Sequence, residues 1–139
     1  MVMSLITGII SGIISGWLVT EYYRKIDQRK EEREKRLQYY DMFNWYLNEL
    51  IAETNIAEKM KEDEKYTEIY RMLRKRTDYV EKIYSVINES AKQTFQRIEQ
   101  KFSGIEKEIN NKNISIADIK KEIRNIQIMM LEVVAINMN

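Results

Sequence analysis

The sequence predicts an all-α protein: an N-terminal transmembrane helix continuing into a long helix, then an antiparallel helical hairpin closed as a three-helix, coiled-coil-like bundle. Three observations predict this. The 139 residues hold no Pro and only four Gly, so the usual punctuation of turn-rich β folds is missing. Apolar residues recur at helical spacing from Leu37 onward. One uncharged run, Val2 to Val19, stands at the N-terminus.

The same composition narrows the chemistry. Cys and His are both absent, which removes zinc fingers, disulfides, a cysteine nucleophile and the commonest general base. No phosphate-binding loop or dinucleotide-binding turn is present. The acidic cluster Glu62, Asp63, Glu64 lacks the spacing and the glycine of a calcium loop. Glu106 and Glu108 lie two apart on a helix and point to different faces, a poor acid–base pair. The expectation is a protein that is not an enzyme and takes no cofactor or metal.

Residues 1–20 form the first element. Eighteen uncharged residues at helical rise cover roughly 27 Å, close to the hydrocarbon thickness of a bilayer. A cleaved signal peptide would need a basic start and a small-residue cleavage site, and neither is present. Arg24, Lys25, Arg29, Lys30, Arg33, Lys35 and Arg36 all follow the run, so the N-terminus is expected outside and the rest in the cytoplasm. Ser4, Gly8, Ser11, Gly12, Ser15 and Gly16 fall on one arc of this helix, opposite an isoleucine face. Small residues every four positions, a glycine zipper, let helix backbones approach closely in lipid. Three readings of the face are open: self-association, a plain anchor, or the lining of a narrow multimeric pore. Trp17, Tyr22, Tyr23, Arg24 and Lys25 suit the inner membrane interface.

Residues 21–36 read as a charged helical stalk. Seven basic and five acidic side chains leave a net charge of +2 there. Attraction to anionic lipid and a plain solvated helix face both fit.

Residues 37–139 read as a cytoplasmic bundle, with helices at about 37–60, 64–109 and 115–136. Leu37, Tyr40, Phe43, Leu47, Leu50, Ile51 and Thr54 form the stripe of the first. Tyr39, Met42 and Tyr46 widen it, and Trp45 lies opposite. These four are the candidate partner contact, unless another helix packs on that side. Asp63 is a plausible N-cap for the next helix. Its seam, Tyr66, Tyr70, Leu73, Thr77, Val80, Tyr84, Ile87, Ala91, Thr94 and Ile98, steps by four and three as a coiled coil does. Gly104 marks a weak point. Asn110 to Asn113 read as a turn, and Ser115 with Asp118 as a capping-box variant. Ile116, Ile119, Ile123, Ile126, Met130 and Val133 are the last stripe. Three unequal helices would leave long seams uncovered in a monomer, a second argument for a homo-oligomer.

Arg71, Arg74, Lys75 and Arg76 are the one dense basic cluster. Acidic neighbours and a total charge of +1 argue against nucleic acid as a partner. The excess of Ile over Leu fits an AT-rich genome and points to a bacterium or its phage.

The glycine repeat at Gly8, Gly12 and Gly16, with Ser11 and Ser15, the Arg24–Arg36 stalk and the helical body together resemble small single-pass membrane effectors carried by bacterial mobile elements for phage defence. The resemblance is one of architecture along the whole chain. It implies a pore-forming or membrane-disrupting antiviral function in the bacterial cell membrane. The partners it implies are the lipid bilayer, further copies of the chain and an oligomeric phage structural protein as trigger. The alternative is a membrane-anchored coiled-coil adaptor that recruits a cytoplasmic protein and forms no pore.

Overall fold

Five α-helices make up the regular structure among the described residues: α1 (Val2–Ala57), α2 (Lys65–Arg74), α3 (Arg76–Val86), α4 (Glu89–Asn110) and α5 (Ile116–Met138). The computed structural model describes residues 2–61 and 64–138, with side chains for all of these except 2–19, 22, 137 and 138. Contacts divide the chain into two units, residues 1–35 and 36–139.

In the first unit the backbone is helical from Val2 onward. Every described side chain from Tyr23 to Lys35 is exposed, as a single apolar residue beyond Tyr23 among so many charges dictates. Arg24 pairs with Glu21 at 2.6 Å, one turn apart.

The second unit holds the core. The inner face of α1 buries Tyr40, Phe43, Leu47, Leu50, Thr54 and Ala57. Thr54 is satisfied locally, its Oγ1 donating to the Ile51 carbonyl at 2.6 Å. At the centre Phe43 meets Phe95 and Phe102 of α4 edge-on, with ring centroids 5.7 and 6.3 Å apart. α4 and α5 pack as an antiparallel hairpin, tied across by Lys101 and Glu122 at 3.2 Å. All six stripe residues of α5, Ile116, Ile119, Ile123, Ile126, Met130 and Val133, are buried. α5 also runs antiparallel along α1, where Gln127 donates to Asn48 at 2.8 Å and Lys120 pairs with Glu58 at 3.1 Å.

The expected single helix over 64–109 is corrected to three. Its first interruption is mild. Lys75 stays helical (φ −70°, ψ −10°), but its N–H bonds to the Met72 carbonyl, one residue tighter than an α-helical bond. At the second, Ile87 and Asn88 are both extended (ψ 142° and 151°). Neither break has Gly or Pro. Carbonyls at the breaks also receive distant donors. The Tyr46 hydroxyl bonds the Met72 and Leu73 carbonyls at 2.6 and 3.2 Å. Arg36 Nε bonds the Val86 carbonyl at 3.0 Å. A released carbonyl that finds such a partner avoids the cost of burial unpaired.

The seam is corrected too. Ile69, Ile83 and Phe95 are buried where Tyr70, Tyr84 and Thr94 were expected, and these three are only half-buried. Tyrosine keeps its hydroxyl at the rim, where it reaches a partner. Tyr84 donates to Glu99, and Tyr66 to the Ile114 carbonyl at 2.7 Å.

The turn over 110–113 closes with two paired bonds. Asn113 N–H donates to the Glu108 carbonyl at 3.0 Å and Lys112 N–H to that of Ile109 at 3.1 Å. Lys112 takes φ 56°, the left-handed conformation this ending requires. Asp118 N–H then donates to Ser115 Oγ at 3.1 Å, capping α5. Asp63, the expected cap of α2, lies outside the described residues; Glu64 precedes α2 with no side-chain cap bond.

Candidate functional site

Among the described residues no helix is long and apolar enough to cross a membrane. The expected crossing over 1–20, with Ser4, Gly8, Ser11, Gly12, Ser15, Gly16 and Trp17, falls on side chains outside the described residues, as does Tyr22. Tyr23, Arg24 and Lys25 are described and exposed.

The second unit offers a more defined surface beside Trp45. Trp45 is 57% exposed on the outer face of α1, and no helix covers it. The four residues expected to meet a partner are therefore separated. Tyr46 is buried and belongs to the core, stacked on Tyr79 at 4.7 Å. That corrects its place in the partner contact. Tyr39 packs against the core and Met42 is half-buried. Only Trp45 of the four presents a large apolar surface outward.

Trp45 borders a groove of about 330 Å³ between α1 and the α2–α3 junction. Its uncharged lining is Trp45, Tyr46, Met72 and Tyr79. One wall is the α1 ridge Glu49 and Glu53; the other is Arg71 and Lys75. Each wall sets two like charges one helical turn apart. Arg71 is paired on its own helix with Glu68 at 2.7 Å. Among the described residues Glu49, Glu53 and Lys75 have no ion-pair partner. Apolar spacing alone does not single out Glu49 and Glu53. Their signal is the four-residue step from Trp45 to Glu49 to Glu53.

The remaining basic cluster is largely engaged. Arg74 lies over the Tyr70 ring at 5.8 Å. Arg76 pairs with Glu106, donates to the Leu73 carbonyl at 2.9 Å and covers the Phe102 ring at 5.4 Å. Glu106 is thus held in an ion pair with only a fifth of its side chain exposed. A second cavity, of about 460 Å³, lies along α4 and α5 and is lined by Lys101, Gly104, Glu108, Asp118 and Glu122 among others. Charges of both signs alternate around it, and Lys101 and Glu122 already pair. No group of carboxylates among the described residues is arranged to hold a metal ion.

No family model, no curated protein and no solved structure matches the chain.

Proposed function

We propose that this chain is a membrane-anchored helical protein that self-associates through the glycine and serine face of its first helix. On this reading it acts in a bacterial cell membrane as a pore-forming or membrane-disrupting antiviral effector, triggered by a cytoplasmic partner such as an oligomeric phage structural protein. The observation that carries the reading is the coincidence of three of the four glycines with the one long uncharged run. Gly8, Gly12 and Gly16 share a helix face there, within bounds where the backbone of α1 is helical. The basic residues that follow orient the chain with its helical body in the cytoplasm.

Forced expression of the full chain, with a candidate trigger present, should depolarise cells. Replacing Gly8, Gly12 and Gly16 together by Ile should abolish leakage and the ladder of cross-linked sizes, while leaving the chain in the membrane fraction. Equal leakage and equal cross-linking from parent and variant would sink the glycine-face reading.

The second reading, an adaptor that recruits a cytoplasmic protein without a pore, is favoured by the exposed Trp45. A partner retained after removal of residues 1–20, with no depolarisation by the full chain, would support it.

A further inference from the structure

The groove beside Trp45 carries equal numbers of opposite charges on its two walls. Glu49 and Glu53 rise from α1, Arg71 from α2 and Lys75 from the α2–α3 junction, with an aromatic lining between them. We propose that this groove is the interface between two copies of the chain, related by a two-fold axis running along the groove, midway between its acidic and basic walls.

The argument is one of charge and symmetry. A two-fold contact uses the same patch on both copies, so the patch must complement itself. An axis along the groove sets the Glu49–Glu53 ridge of one copy over the Arg71–Lys75 ridge of the other, twice. An axis across the groove would set like charge over like, which costs affinity. Three of the four charges, Glu49, Glu53 and Lys75, have no ion-pair partner among the described residues, so they can pair without breaking an existing contact. Arg71 exchanges or shares Glu68. Trp45, more than half exposed in the groove lining, supplies the aromatic anchor that stable interfaces use.

The test is a charge exchange on the full chain in detergent micelles, with molar mass followed by light scattering across a dilution series. Glu49→Lys with Glu53→Lys makes both walls basic; Arg71→Glu with Lys75→Glu makes both acidic. Each variant should associate on the order of tenfold or more weakly than the parent. An equimolar mixture of the two should recover parental affinity, and so should the four-fold exchange in one chain. Circular dichroism checks that each variant is folded. In a Trp17→Phe background, Trp45 emission should shift to the blue with increasing parent concentration and not with the two-site variants. The interface is wrong if the reversals leave association unchanged, or if the mixture associates as weakly as its components. Repeating the series with Gly8, Gly12 and Gly16 replaced by Ile separates the two sites. Loss of association from the glycine changes alone overturns the groove and keeps the glycine face. Association that survives them and responds to charge exchange supports the groove and overturns the glycine face.

Discussion

The phenolic hydroxyl of Tyr46 donates to the Met72 carbonyl at 2.6 Å, across 26 residues of sequence. Tyr46 sits mid-way along the packed part of α1, and Met72 lies in the last turn of α2. The bond therefore holds the point where the chain leaves one helix and enters the next. Tyr46→Phe keeps the ring and its stacking on Tyr79 but leaves the Met72 carbonyl without this donor. The expected loss is about 1–2 kcal/mol in denaturant unfolding. A midpoint equal to the parent's would show that the hydroxyl contributes nothing to the junction.

Tyr40 offers the opposite case. It is 3% exposed, and its hydroxyl has no partner among the described residues. Tyr40→Phe removes a buried polar atom that makes no bond, so stability should hold or rise by up to ~1 kcal/mol. The same substitution at two positions on one helix should thus give opposite signs. A loss at Tyr40 as large as that at Tyr46 would contradict the bonding described.

Burial pushes the Tyr40 hydroxyl from its ordinary value of 10.0 up to about 12, with the Arg36 charge opposing. Tyr46 is raised further, by burial first, with Arg76 opposing and Glu106 and Tyr79 adding to it. Tyr84 is raised by burial, by its bond to Glu99 and by the charge of that carboxylate. All three are held as neutral phenols in the fold. Above pH 10 the unfolded chain binds fewer protons than the folded one, so stability falls as pH rises. These groups contribute fully below pH about 10, and their contribution declines through about 12 and beyond. Alkaline titration followed by circular dichroism and tyrosinate absorbance should show unfolding and ionisation together. Ionisation of all tyrosines near their ordinary value, with helicity intact, would contradict it.

Two exchanges involving glycine should both stabilise. Lys112 holds φ 56°, where a Cβ is strained, and Lys112→Gly should gain ~0.5–1 kcal/mol. Gly104 lies inside α4, and a Cβ there would meet nothing within 4 Å. Gly104→Ala should gain a similar ~0.5–1 kcal/mol from helix propensity. The two sites share no contact, so thermal unfolding of the double variant should show a nearly additive gain.

Much of the bundle was legible because its helices carry their own periodicity. The stripe of α5 is buried at all six expected positions, and that of α1 at Tyr40, Phe43, Leu47, Leu50 and Thr54. The seam between them was misread by one residue at Ile69, Ile83 and Phe95. Tyrosine and threonine kept a regular four-three rhythm, and a polar tip that prefers the rim is invisible to spacing alone. The two helix breaks were not legible for a different reason. No Gly or Pro marks them, and part of what satisfies their carbonyls comes from Tyr46 and Arg36 on another helix. The Trp45 groove was half legible. The outward tryptophan could be read from α1, but its charged walls exist only once α2 is laid beside it.

Three distant donors at the helix junctions share an order. Arg36 serves Val86, Tyr46 serves Met72 and Tyr66 serves Ile114, across 50, 26 and 48 residues. In every case the side chain is synthesised before the carbonyl it serves. A growing chain thus carries each clasp out of the ribosome ahead of its eye, and the bends can be fixed in the sequence in which they emerge. Circular permutants that place residues 36–66 last would present all three carbonyls before any of these distant donors.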